Sequence, residues 1–252
     1  MSVRDRIATA EGKRRVVRAI FATIADRYDF ITVILSYGQD RRWKRRLVDL
    51  AAVRPGARAL DLATGTGDIA FALAGRGARV AGLDITFRMI ELAKTKIAGA
   101  DLGRSAAAEQ APPLRSVPVF LVGDMLALPF ASKSVDLVTT GYGLRNVPHL
   151  ATAIEEIGRV LTPGGQLLSL DFNKPSNPLV RSAYLAYLTG VGAALGWLLH
   201  RDPDTYRYIP ASIRQYPGAE AVARMFESRG FSRVRCYPVL GGLMTIHHAI
   251  RD

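Results

Sequence analysis

From about residue 58 to Phe172 the chain alternates short apolar runs with amphipathic stretches, and this alternation limits the folds open to it. ARALDLA, RVAGLDI, VPVFLVGD, SVDLVTTG and GQLLSLDF are candidate strands, and segments near 67–75, 86–98 and 150–161 read as helices between them. Strand, helix, strand in repetition predicts an α/β fold, a mostly parallel sheet with helices on both faces. RVLTPGGQLL (159–168) predicts a helix end, a Pro-Gly-Gly turn and then a strand.

The flanks follow other patterns. The first fifty-odd residues read as helices, with Val16, Val17, Ile20, Phe21 and Ile24 at roughly helical spacing. After Phe172 the alternation stops for a long, partly helical and apolar stretch. A helix (AEAVARMFESRG) and two closing strands (SRVRCYPV and GLMTIHHAI) then complete the chain. Residues 1–252 are therefore expected to form one domain, with N-terminal helices over 1–53 and a cap at 173–217 inserted before the last strands. Ala183–Leu199 has no charged residue and approaches membrane-span length. Its glycines 190, 192 and 196, and its place between strands of one sheet, predict burial against that sheet or over an apolar ligand instead.

A formal charge of +12 suits an anionic partner or a solvated surface, and much of it sits in GKRRVVR (12–18) and RRWKRR (41–46). An anionic lipid surface is one expected contact. One cysteine and four histidines without ligand spacing give no basis for a metal site. The Met1 end lacks an apolar core leading to a cleavage site, so a cytoplasmic location is expected.

LDLATGTGDIA (60–70) places Gly65, Thr66 and Gly67 between a strand and a helix, and Asp84 ends the next strand. The spacing fits a dinucleotide fingerprint. Asp61 and Asp68 oppose that reading, because carboxylates beside the helix start repel a pyrophosphate. Asp61 suits a ligand carrying a cation, Asp84 a ribose diol, and Asp124, with Met125 beside it, an adenine amino group. Each acid alone is a plausible cap or turn former. Together, at strand ends where open α/β sheets bind ligands, they describe a site for S-adenosylmethionine (SAM).

This glycine loop and acidic series resemble the class I SAM-dependent methyltransferases. YDFITVILSYGQDRRWKR (28–45), GLRNV (143–147), RVLTPGGQLLSLDF (159–172) and YRYIPASIRQYP (206–217) resemble, more narrowly, the ubiquinone/menaquinone biosynthesis C-methyltransferase family. The resemblance runs from about Phe21 to the closing strand. It implies a seven-stranded Rossmann-like sheet with an antiparallel strand in its last pair, and methylation of a ring carbon on a polyprenyl quinol. Three positions depart from the family pattern: Thr32 replaces Asn, Asp40 replaces His, and Gly141, which the resemblance places at the cofactor, stands where Ser is common. The linker 99–117, with an Ala run and Pro112-Pro113, is long.

LVTTGYGLRNVPHL (137–150) then acquires a purpose. An aromatic carbon becomes nucleophilic when an adjacent hydroxyl loses its proton, so the site must stabilise an oxyanion and remove a proton. Arg145 can clamp the oxyanion and Asn146 can orient a ring oxygen or a water. Tyr28 and Asp29 are placed at the substrate from the N-terminal helices, and Tyr206, Arg207 and Tyr208 from the cap. His247 and His248 read as edge-strand residues. Demethylmenaquinol is the favoured acceptor, with a polyprenyl benzoquinol close behind. Another O- or N-methyltransferase, or a non-catalytic SAM-binding accessory protein, remains open. A nucleic-acid partner is not expected, since TTGYGLRNV occupies the place of the Asn/Asp-Pro-Pro-aromatic turn. Oligomeric state is not legible, and a homodimer stays open.

Overall fold

Seven strands form a single sheet: β1 (Arg58–Leu62), β2 (Arg79–Asp84), β3 (Val119–Val122), β4 (Val135–Gly141), β5 (Leu161–Phe172), β6 (Phe231–Val239) and β7 (Met244–Arg251). Their order is β3-β2-β1-β4-β5-β7-β6, and only β7 runs antiparallel to its neighbours. The computed structural model describes residues 3–107, 116–175, 177–202 and 205–252. The expected architecture, including the antiparallel strand in the last pair, is present.

The central strands are apolar on both faces because helices cover both. On one face α4 (Asp40–Leu50), α5 (Asp68–Gly75) and α6 (Phe87–Ala107) set Leu47, Leu73 and Ile90 against Phe120 and Leu168. On the other, α7 (Leu150–Val160) and α10 (Ala219–Glu227) set Ile154, Ile157 and Phe226 against Leu60, Leu62 and Val138. Each such fully buried side chain contributes about 1.5–3 kcal/mol of transfer free energy.

Three local expectations change. The Pro-Gly-Gly turn does not precede β5 but lies within it: β4 pairs Val135 with Leu161 and then Leu137 with Gln166, so Thr162–Gly165 loop out of the ladder. Pro163 has no N–H to give a ladder bond, and Gly164 takes φ +79°. The helix expected at 86–98 continues to Ala107, into the Ala-rich stretch read as linker, while Pro112-Pro113 lie outside the described residues. β7 is interior, between β5 and β6, so His247 and His248 are not on an edge.

The N-terminal helices α1 (Val3–Arg6), α2 (Ala10–Ile24) and α3 (Tyr28–Leu35) cross the strand C-terminal edge together with the cap, which holds α8 (Pro178–His200) and α9 (Tyr208–Gln215). Asn177 caps α8 by accepting from the N–H groups of Leu179 and Val180, with Pro178 at the first turn. α8 does not lie on the sheet. It packs on α9 and on an apolar group with Ile24, Ile31 and Tyr206, leaving Leu179, Val180, Trp197 and Leu198 exposed. By length and composition it is the one helix among the described residues able to cross a membrane. A crossing would separate β5 from β7, which pair from Gln166–Ile250 to Phe172–Met244.

Candidate active site

Because β1 neighbours both β2 and β4, the connections leave the sheet in opposite directions there, and a crevice opens above the ends of β1 and β4. β1 runs into the glycine turn, whose left-handed backbone at Gly65 (φ +56°) and Gly67 (φ +90°) suits a residue without Cβ. The Gly65 N–H donates to Asp84 Oδ2 at 2.9 Å and the Thr86 N–H to Asp84 Oδ1 at 2.8 Å. Burial raises the Asp84 carboxyl above its ordinary value, and those two N–H groups oppose the rise. Asp84 is thus held rigidly at the end of β2 with oxygen lone pairs still available.

A narrow cleft here brings together Gly65, Asp84, Asp124, Met125, Gly141 and Asn146. Asp124 caps its own turn through the Leu126 N–H and pairs with Arg14 of α2, which spans the cleft. A glycine turn, an anchored carboxylate for a diol and an apolar wall at Met125 fit the nucleoside of SAM.

The other residues expected at the cofactor are not in the lining of this cleft, although the small cavity next to it shares Gly65, Gly141 and Tyr142 with it. Asp61 is 1% exposed and accepts from Thr64 Oγ1 at 2.6 Å and Thr139 Oγ1 at 2.7 Å. It borders a small cavity under the glycine turn, which Thr66 also lines. Burial pushes its carboxyl up to about 6 against those two hydroxyls. Gly67 backs onto the rings of Phe120 and Phe71.

Beside the cleft lies a cavity of about 430 Å³ with mostly apolar walls, among them Ile24, Ile31, Trp43, Phe172 and Leu243. Its volume falls in the range of small-molecule sites. Tyr206 and Tyr208 line it, as expected, and Tyr184 and Tyr187 of α8 join them. Asp29 does not: it accepts from Thr66 Oγ1 at 2.7 Å and pairs with Lys96 at 2.8 Å, tying α3 to the glycine turn. Arg207 is exposed and outside the lining. Phe21, Tyr28 and Tyr142 belong to both cleft and cavity and form the partition between them.

Arg145 and Asn146 sit in the 3-10 turn Leu144–Asn146 after β4 and face different sides of that partition. Arg145 lines the apolar cavity and Asn146 the cleft. Arg145 is 5% exposed; its Nη1 donates to Ser212 Oγ at 2.7 Å and to Asn146 Oδ1 at 3.0 Å. Its guanidinium carbon stands 4.8 Å from the centre of the Phe172 ring, and Nε lies 3.3 Å from Asp171 Oδ1. Asn146 donates to the Tyr142 carbonyl at 2.8 Å and accepts from Tyr208 at 2.9 Å. Half-buried Lys13 also feels this centre: burial, helped by Arg145, brings its ammonium down to about 8, opposed by Asp171. A fixed cation on the wall of an apolar cavity favours negative charge developing on a ligand oxygen there, and the low dielectric strengthens it.

The sequence reading missed several members of this site. Asp171 ends β5 as Asp61 and Asp84 end β1 and β2, so the strand-end rule applied to LSLDF finds it. Tyr142 donates to Asp40 Oδ1 at 2.6 Å, and Lys44 bridges Asp40 at 2.6 Å and Asp68 at 3.0 Å. No local signal marks that network, which joins α4, α5 and the end of β4. His247 is 1% exposed and bonds the Ala219 carbonyl at 2.9 Å, away from the cavity.

Comparison with known proteins identifies the family and the fold. Residues 8–251 match the ubiE/COQ5 methyltransferase family. The chain is 36% identical over 242 residues to the ubiquinone/menaquinone biosynthesis C-methyltransferase UbiE of Ectopseudomonas mendocina, covering 95% of this chain and 90% of the relative. It is 37% identical to the UbiE of Methylococcus capsulatus, covering 95% and 93%. Among solved structures, magnesium protoporphyrin IX methyltransferase (ChlM) of Synechocystis with bound SAH superposes with a TM-score of 0.63 at 17% identity, over 95% of this chain and 100% of that one. A SAM-dependent methyltransferase of Thermotoga maritima gives 0.62 at 15% identity, over 93% and 99%. At those identities the structures speak to the fold alone.

Proposed function

The chain belongs to the ubiE/COQ5 methyltransferase family, and from that premise we propose that its acceptor is a polyprenyl quinol, with demethylmenaquinol favoured over a demethylated benzoquinol. It is a SAM-dependent C-methyltransferase of ubiquinone/menaquinone biosynthesis. One observation carries the acceptor reading: a large apolar cavity with the fixed cation Arg145 in its wall adjoins the cleft of Asp84 and Gly65 across Phe21, Tyr28 and Tyr142.

In this reading Gly65, Asp84, Asp124, Met125 and Gly141 hold SAM, which when bound supplies an electrophilic methyl group. The apolar walls take the ring and the first prenyl units and exclude water. Arg145 meets the ring oxygen that becomes anionic, and Ser212, Asp171 and Asn146 hold the guanidinium in place. Positioning and electrostatics are most of what an in-line methyl transfer needs from a protein.

A long prenyl tail lives in a bilayer, so the enzyme needs a membrane-facing entrance. Tyr37 and Val180 line the cavity and are themselves exposed, with Phe30, Val33, Trp197 and Leu198 also exposed on α3 and α8. Next to the cavity, sharing Trp43 and Leu240 with it, runs an open groove lined by Arg42, Arg45 and Arg46. Apolar contacts beside a basic stripe suit peripheral docking on an anionic leaflet, at the inner face of the cytoplasmic membrane.

The test supplies methyl-labelled SAM with reduced demethylmenaquinol and, separately, a reduced demethylated benzoquinol in detergent, with total RNA as control. Faster labelling of the naphthoquinol ring carbon is expected. Faster labelling of the benzoquinol reverses the acceptor preference, and label on RNA alone overturns the quinol reading.

A further inference from the structure

Ring methylation releases one proton per turnover, and the groups described so far leave its path open. Arg145 is a cation, Lys13 lines neither the cleft nor the cavity, Asp171 is committed to Arg145, Tyr208 donates to Asn146, and His247 bonds the Ala219 carbonyl away from the cavity. We propose that Tyr142 and Asp40 form the relay that takes the acceptor's hydroxyl proton, with Lys44 and Asp68 continuing the polar path to the surface. The inference rests on the C-methylation reading and adds the catalytic base to it.

Position singles out Tyr142. With Tyr28 it lines the donor cleft, the acceptor cavity and the small cavity under the glycine turn. Its backbone takes the left-handed φ of +60°, unusual for a bulky residue, and its N–H donates to the Leu170 carbonyl at 2.7 Å. Such conformations concentrate at functional sites. The ring is fixed between Phe172, 5.8 Å away centre to centre, and Lys44 Nζ, 5.9 Å over its face.

Chemistry then orders the atoms. The Tyr142 hydroxyl already donates to Asp40 Oδ1 at 2.6 Å, so its lone pairs are what it can offer a ligand in the cavity. A ring hydroxyl donating to Tyr142 completes the line O–H···O–H···carboxylate. Tyr142 need never become a free phenolate: it accepts one proton as it passes its own to Asp40. Burial, reinforced by Asp40, keeps its hydroxyl well above the ordinary tyrosine value, which suits a relay better than a stand-alone base.

Beyond Asp40 the path leaves the interior. Asp40 is 3% exposed, Lys44 Nζ stands 2.6 Å from its second oxygen and 3.0 Å from Asp68 Oδ2, and the Asp68 side chain is 38% exposed. Lys96 closes the outer end at 3.1 Å from Asp68.

The step balances. The ring O–H bond breaks and its proton moves to Tyr142 Oη, while the Tyr142 proton moves to Asp40. The oxygen pair enters the ring, whose carbon forms the new bond to the donor's methyl as the carbon–sulfur pair stays with sulfur. The hydrogen on that carbon then leaves as a proton to solvent while the oxygen takes one back from solvent, a keto–enol shift that restores aromaticity. The one proton released per methyl transferred is therefore the one passed to Asp40.

The experiment follows anaerobic methyl transfer from labelled SAM to reduced demethylmenaquinol between pH 6.5 and 10, in wild type, Tyr142→Phe and Asp40→Asn. Tyr142→Phe keeps the ring packing and removes only the relay oxygen. The groups facing the pair are Lys44 on α4, Tyr28 on α3, Asp68 on α5, Asp171 at the end of β5, and Arg145. A SAM titration by calorimetry shows whether they hold the donor site unchanged. Near pH 7 both variants are expected to lose about 10²-fold or more in kcat, with the KM and the SAM Kd little changed. The deficit should shrink toward pH 10, where the ring hydroxyl ionises unaided. Wild-type kcat in Tyr142→Phe at pH 7, or an equal loss at every pH, overturns the relay and leaves ring methylation standing. Absence of ring label in the wild type overturns both.

Discussion

Arg145 and Asp171 form a buried ion pair between the ends of adjacent parallel strands: Nε of Arg145 lies 3.3 Å from Asp171 Oδ1, and the Arg145 N–H donates to Asp171 Oδ2 at 3.1 Å. Asp171 therefore fixes both the charge and the backbone of the turn that carries Arg145.

Removing Asp171 leaves Arg145 charged and underpaired at 5% exposure. Breaking a buried pair from one side costs about 3–5 kcal/mol, so Asp171→Asn, which keeps some hydrogen bonding, should lose about 2–3 kcal/mol in urea unfolding. Arg145→Ala should lower kcat by about 10²–10³-fold, the range for removing a donor to a developing oxyanion. SAM affinity should hold in that variant, because Arg145 lines the acceptor cavity and not the donor cleft. A tenfold loss of SAM affinity in Arg145→Ala counts against the division of labour between the two pockets.

Asp61 predicts a pH dependence with a definite sign. Burial holds its carboxyl at about 6 in the folded chain, above an unfolded value of about 3.9. The folded state thus binds the proton more tightly. That stabilisation is complete below about pH 4 and fades as pH rises through 6. Asp61→Asn lacks this titration. Unfolding free energies of variant and wild type, compared at pH 5 and pH 7.5, should move in the variant's favour by on the order of 1–2 kcal/mol. A difference independent of pH means that Asp61 does not titrate in this range.

The strands were legible because parallel strands covered on both faces read as apolar runs, and the cleft followed from placing Asp84 and Asp124 at their ends. Asp29 stands outside the acceptor cavity for a physical reason. A helix near the site offers several faces, and only tertiary structure shows that Asp29 turns toward Thr66 and Lys96 while its neighbour Tyr28 turns inward. Asp40, noted only as a departure from the family pattern, acquires a role once folding sets it against Tyr142, 102 positions away. The turn within β5 was misread because Pro-Gly-Gly signals a break but does not say whether a ladder resumes on the same strand.

Gly67 tests how tightly the donor turn is built. A Cβ there would stand 2.8 Å from Phe120 and 2.9 Å from Phe71, at φ +90°. Both rings are packed into the core on that face, so neither yields freely. Gly67→Ala should cost about 2–3 kcal/mol by thermal or urea unfolding, from backbone strain and overpacking together. SAM affinity should fall with it, since Gly65 must keep its bond to Asp84. Gly164→Ala, also at positive φ but with nothing within 4 Å, should cost less and leave SAM affinity unchanged.

The proposed docking face separates into two physical contributions that variants can remove one at a time. Trp197 and Leu198 are 58% and 67% exposed on α8, and placing such side chains in a bilayer interface yields about 1.5–3 kcal/mol each when fully buried. That contribution does not depend on salt. Arg42, Arg45 and Arg46 along the groove contribute about 1 kcal/mol each near an anionic surface, and salt screens them. Trp197→Ser with Leu198→Ser should therefore weaken binding to neutral and anionic vesicles alike. Replacing the three arginines with glutamine should weaken binding to anionic vesicles by about 10²-fold at low salt and remove most of its salt dependence. The consequence for catalysis follows from where the tail resides. KM for a long-tailed quinol embedded in vesicles should rise in both sets of variants, while KM for a short-chain quinol in solution should stay put. An equal rise for both acceptors places these residues in the packing of the cavity rather than on a membrane face.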